Sequence, residues 1–121
     1  KATVEALAYQ TKDVLNAMIE DSGKEIITLK VDGGASANNY LMQFQSDILG
    51  AVVDRPEILE TTAMGAAFLA GIATKFWTKE QIARNWGRGR SFHPEMTKAR
   101  REEKYKGWLK AVDRCKSWEE E

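Results

Sequence analysis

A single cysteine, a single histidine and two prolines in 121 residues remove several classes of protein at the outset. Cys115 has no partner with which to close an internal disulfide, and one thiol makes no cysteine zinc cluster. Without a disulfide framework, a reducing cytoplasmic setting is expected. Long hydrophobic runs are also lacking: the longest, Ala63 to Ala73, is about eleven residues against the roughly twenty a membrane helix needs. No membrane span is expected. Nor is there charge of one sign, since 18 Lys and Arg balance 18 Asp and Glu, so no global field steers the chain to nucleic acid or to an anionic membrane. The first twenty residues lack the apolar stretch and small-residue cleavage site of a signal peptide. There is no initiator Met, and a helical pattern runs from the first residues, which suggests a chain cut from something longer.

What is present reads as about one domain, at roughly 100–200 residues each, of α/β class. Val4, Leu7, Ala8, Thr11, Val14, Leu15, Met18 and Ile19 recur at three- and four-residue steps and predict a first helix, stopped at Asp21-Ser22-Gly23. Ile26 to Val31, rich in β-branched residues, predicts a mostly buried strand. A second helix carries Leu41, Phe44, Gln45 and Ile48 on one face and ends at Gly50; Ala51 to Asp54 predicts a second strand, stopped by Arg55-Pro56. Strand, helix and strand in so short a span make a βαβ unit with parallel strands. Thr61 to Ala73 is apolar all round and rich in small residues, the composition of a helix squeezed between layers. A short helix from Thr78 to Asn85, a loop over Trp86 to Ser91, and a last helix with Tyr105, Trp108, Leu109, Val112 and Cys115 on one face complete the reading.

The junction "VDGGASANNY" is where the chain looks most like a site. Two glycines at the end of a strand remove the Cβ that keeps a ligand from the backbone and permit positive φ. Successive N–H groups can then form a small anion-binding concavity. A helix starting at about Ser36 to Asn38 adds its own unpaired N–H groups and the positive end of its dipole. In open α/β sheets ligands sit at the carboxyl ends of strands, so a nucleotide or phosphorylated ligand is the natural guest. The motif is neither a Walker loop nor the dinucleotide fingerprint, and a plain tight turn also accounts for it.

Taken together, "ATVEALAYQTKDVLNAMIEDSG", "VDGGASANNYLMQFQSDILG", "VVDRPEILETTAMGAAFLAGIATKFW" and "FHPEMTKARREEKYKGWLKAVDRCKSWEEE" resemble the C-terminal end of the FGGY carbohydrate kinase family. "MQFQSDILG" and "YKGWLKAV" lean toward its glycerol-phosphorylating members rather than those that take another polyol or sugar. The resemblance implies part of a ribonuclease-H-like domain of the actin and hexokinase type, with an α/β core over residues 1–76 and peripheral helices over 77–121. It implies ATP or ADP and Mg2+ as cofactors and glycerol as the acceptor. By position, Gly34 would meet the nucleotide through its backbone, Asn38 through its side-chain amide near the adenosine, and Gly33 would be the supporting turn residue. The acceptor pocket, the base, most phosphate contacts and the metal ligands would come from an N-terminal domain missing here. This chain would then hold no catalytic residue, be inactive alone, and self-associate through an open sheet edge and an uncovered apolar face.

Other features have plainer readings. His93, beside Pro94, reads as a surface or packed imidazole, and Cys115 as a small hydrophobe on the apolar face of the last helix. Trp77, Trp86, Trp108 and Trp118 read as packing residues. The basic stretch Lys98 to Lys116 is broken by Glu102, Glu103 and Asp113, which favours a solvated helix face over a nucleic-acid surface. A free-standing interaction module working through that helix is the competing hypothesis of a different class.

Overall fold

The computed structural model describes residues 1–85 and 88–116. Helix α1 (Ala2–Ser22) ends at Gly23, whose φ of 65° allows its N–H to close on Ile19 O at 2.8 Å. Strand β1 (Thr28–Lys30) follows, then a 3-10 turn (Gly34–Ala37), helix α2 (Asn39–Leu49) and strand β2 (Val52–Pro56). Next come helix α3 (Thr61–Ala73), helix α4 (Lys79–Asn85), strand β3 (Arg88–Phe92) and helix α5 (Lys98–Cys115).

The three strands lie in the order β1-β2-β3. β1 and β2 are parallel, with Leu29 opposite Val53, as the βαβ pattern requires. β2 and β3 are antiparallel, with Val53 opposite Phe92 and Arg55 opposite Arg90, and a bulge between Arg55 and Pro56. That bulge falls where proline has no N–H to give the ladder.

Helix α2 covers one face of this sheet. Leu41, Met42, Phe44 and Ile48 bury against Val53 and Phe92, with Ala8 of α1 closing the cluster. Ser46, fully buried, shares its hydroxyl proton between Ala51 O at 2.8 Å and Phe92 O at 3.0 Å, so a polar group ties β3 to the end of α2. Helix α5 docks mainly through polar contacts with α1. Asp13 accepts hydrogen bonds from the Tyr105 hydroxyl and from Trp108 Nε1, the latter at 2.8 Å, while the Trp108 ring stacks on Tyr9. Asp47 fixes the approach to α5 by accepting the Glu95 and Met96 N–H groups at 2.7 and 3.0 Å.

Several sequence expectations need correction. The second strand, expected over Ala51 to Asp54 and stopped by Arg55-Pro56, instead takes in both residues, because each pairs with β3 across the bulge. Residues 88–91, expected in a loop, belong with Phe92 to β3; the buried Phe92 is what holds that polar, glycine-containing segment in the sheet. Trp86 and Gly87, from the same expected loop, and Trp118 lie outside the described residues. The first strand is shorter than expected and lies at the sheet's edge, with Ile27 77% exposed, because only β2 pairs with it. The apolar helix α3 is not squeezed between layers: Leu69 is 71% exposed, and of its residues only Gly71 is buried, beneath the ring of Trp77. No other element among the described residues packs extensively on it. Cys115 is exposed, since it sits two helical turns past Trp108, where α5 meets α1. The apolar stripe of α1 is also only half used: Ala8 and Leu15 are buried, but Leu7, Val14 and Met18 face outward.

Candidate nucleotide-binding turn

The parallel pairing of β1 with β2 continues past the strand through Val31 N–H to Asp54 O at 3.0 Å. The chain must then leave the sheet sharply, and Gly33 does this with φ 77° and ψ 173°. That combination lies in the region open essentially to glycine alone. The Gly33 N–H is anchored on Leu59 O at 3.2 Å, and its carbonyl accepts from both Ser36 N–H at 3.1 Å and the Ser36 hydroxyl at 2.7 Å. Ser36 is buried, so the turn has an inner polar pin. Thr61, at the start of α3, donates its hydroxyl to the Asp32 carboxylate and ties the other flank.

The entry into α2 takes two steps rather than one. A helix was expected to begin at Ser36 to Asn38; instead a 3-10 turn runs to Ala37, and Asn38 is the N-cap of α2, with ψ 103° and Oδ1 accepting the Leu41 N–H at 3.1 Å. Asn38 is therefore beside the first turn, not on it. With Oδ1 engaged, its Nδ2 amino group is the part of the side chain left to donate outward. Gly34 and Asn38 are both exposed, and a Cβ built on Gly34 would meet no atom within 4 Å. The Gly34 and Ala35 N–H groups make no hydrogen bond with any described residue. The turn thus presents backbone donors at Gly34 and Ala35 and a fixed amide four residues on, donors of the kind an anionic or hydrogen-bonding ligand can use. The three residues expected to carry the site, Gly33, Gly34 and Asn38, are thus brought together in one turn.

Sequence reasoning overlooked Arg55, which appeared only as the residue before a strand-stopping proline. From β2 its Nη1 reaches Ser36 O at 2.8 Å, Ala37 O at 3.2 Å and Asn39 Oδ1 at 3.0 Å. No local signal reveals contacts that cross 16 to 19 positions. On the α1 side of the turn lies an open, largely apolar groove of about 450 Å³, bordered by Leu7, Val14, Val31, Ala35 and Met42.

A mixed α/β sheet that opens, at the end of a parallel strand, into a glycine turn defines a class, the open α/β domains that take ligands at the carboxyl ends of their strands. The chain belongs to the FGGY family of carbohydrate kinases: the description of that family's C-terminal domain matches residues 1–74. Along its whole length it is 60% identical to the glycerol kinase of Thermoanaerobacter sp. (strain X514), and over 99% of its length 60% identical to that of Fusobacterium nucleatum; it covers 24% of each. The chain thus spans about a quarter of the length of the curated relatives it matches. Among solved structures, the glycerol kinase of Plasmodium falciparum with ADP superposes with a TM-score of 0.78 at 32% identity, over 92% of this chain and 22% of that one.

Proposed function

We propose that this chain supplies part of the nucleotide site of an ATP-dependent glycerol kinase, which converts ATP and glycerol to ADP and sn-glycerol 3-phosphate. The observation that carries the reading is the turn itself, with exposed Gly34 and an amide-presenting Asn38 cap, in a chain 32% identical to a glycerol kinase solved with ADP. In this reading the Gly34 backbone approaches the nucleotide, Asn38 donates from Nδ2 near the adenosine, and Gly33 supplies the bend that leaves them room. Phosphoryl transfer is mainly positioning and electrostatics, and the part played here is positioning. The acceptor pocket, the base and the Mg2+ ligands are assigned to residues beyond this chain, and the working compartment to a reducing cytoplasm. The 121 residues alone are then expected to transfer no phosphoryl group.

The test is phosphoryl transfer from ATP by the whole expressed polypeptide that carries this sequence, offered glycerol beside a panel of pentuloses and sugar acids. Glycerol as the sole acceptor supports the reading. Preference for another acceptor retires glycerol but keeps the nucleotide site, and no transfer to any of them counts against a kinase.

A further inference from the structure

We infer that Arg55 is a positioning residue for the nucleotide turn: its guanidinium holds Asn38 at the cap and keeps the 3-10 turn from being absorbed into α2. The inference rests on the nucleotide reading of that turn. At the junction of the 3-10 turn with α2, two carbonyls are left without a backbone donor, those of Ser36 and Ala37. A regular α-helix would send the Leu41 N–H to Ala37 O. Here that N–H goes instead to Asn38 Oδ1, and the Asn38 N–H goes to Ala35 O. Arg55 Nη1 is the donor that reaches both orphaned carbonyls, and it also holds Asn39 Oδ1. Nη1 carries two protons for these three oxygens, so one of them is shared.

Arg55 is held in turn. It lies two residues beyond the buried Val53 on β2, so its side chain leaves the strand on the α2-covered face, and its guanidinium rests 5.3 Å from the centroid of the buried Phe92 ring. No ion pair among the described residues uses it. The hydrogen bonds its Nη1 makes are thus all to the turn and the start of α2, and a cation opposite two carbonyls makes the stronger, charge-assisted kind of bond. Without it, satisfying Ala37 O by the Leu41 N–H is the cheapest repair available to the backbone. That repair extends α2 backward, takes the cap bond from Asn38 and swings its amide away from the nucleotide.

The experiment is an ADP titration of 15N-labelled chain, comparing wild type with Arg55→Gln and with Arg90→Gln. Arg90 is the control, since its guanidinium also lies on the Phe92 ring, at 4.7 Å, but makes no hydrogen bond to the turn among the described residues. Arg55→Gln is expected to move the Asn38 to Leu41 amides before any ligand is added, to leave the α1 and α5 amides in place, and to weaken ADP about tenfold, one charge-assisted hydrogen bond's worth of organisation. Arg90→Gln is expected to bind as wild type does. Should Arg55→Gln melt too early to titrate, Arg55→Lys serves, with severalfold weakening expected from its shorter stem and lost fork. Wild-type affinity in the folded Arg55 variant overturns the inference, and so does equal weakening by Arg90→Gln, which would make the effect one of charge alone. If wild type itself binds no ADP, the nucleotide reading falls first and this inference with it.

Discussion

Asp13→Ala probes how α5 is held on α1. No residue of α5 is buried, so its hold on the rest of the chain cannot come mainly from apolar area. Asp13 accepts from both Tyr105 and Trp108 Nε1, and Asn16 Nδ2 reaches the same Tyr105 hydroxyl at 3.2 Å. Hydrogen bonds to a charged group contribute about 1.5–3 kcal/mol each; at this half-buried position the lower end applies, giving about 3 kcal/mol for the pair. Native domains are stable by roughly 5–15 kcal/mol, so that loss is a large share. At a few degrees per kcal/mol it lowers Tm by roughly 10 °C. Asp13→Asn keeps an acceptor without the charge and should lose about half as much. The assay is urea unfolding read by near-ultraviolet circular dichroism, with hydrogen exchange to see whether α5 amides open before those of α2. An Asp13→Ala chain within about 0.5 kcal/mol of wild type, the ordinary range for surface changes, would refute the idea that this carboxylate anchors α5.

Three further outcomes are expected. Gly33→Ala should cost about 1–3 kcal/mol, because the φ of 77° with ψ 173° is closed to L residues, whereas Gly34→Ala, in open space and without a positive φ, should melt with wild type; equal melting of the two would contradict the backbone assignment. Burial and the hydrogen bond to Asp13 push the Tyr105 hydroxyl up to about 12, and the hydrogen bond to Glu5 pushes Tyr40 to about 12. Both phenols are therefore neutral in the folded chain where the unfolded chain, at the usual value near 10, already ionises. The stability they contribute is complete below pH 10 and is lost as pH rises toward 12, and tyrosinate absorbance should appear with its midpoint well above 10; a midpoint at 10 in folded protein would exclude those contacts. Self-association through α3 and the segment after it is expected at high concentration, given Leu69 and Phe76 at 71% and 73% exposure; sedimentation should show it diminished in Leu69→Lys with Phe76→Ser, and a strictly monomeric wild type would leave that face without this role.

The βαβ unit was legible in the sequence because its signals are local: a helix stripe, a short β-branched run, glycines at Gly23, Gly33 and Gly50, and a second short run up to Asp54, though the strand itself goes on to Pro56. The glycine turn was legible for the same reason, and Asn38 was misplaced by a single step, from helix to cap, because a 3-10 turn and a first α-turn share the same residues. β3 was hidden, since Arg88 to Phe92 offers one buried apolar side chain, and its place depends on Ser46 and Val53 far back in the chain. α3 was misjudged because all-round apolarity reports that a helix wants neighbours, not that the described residues contain them. Arg55 could not be read at all: its worth lies in two carbonyls that become orphans only once the fold has formed.

The most direct measurement of the central claim is an ADP titration of the uniformly 15N-labelled wild-type chain, followed amide by amide. The account expects saturable shifts concentrated from Gly33 to Asn39 and absent in Gly34→Val. Saturable shifts elsewhere with none in that turn, or shifts unchanged by Gly34→Val, would contradict it.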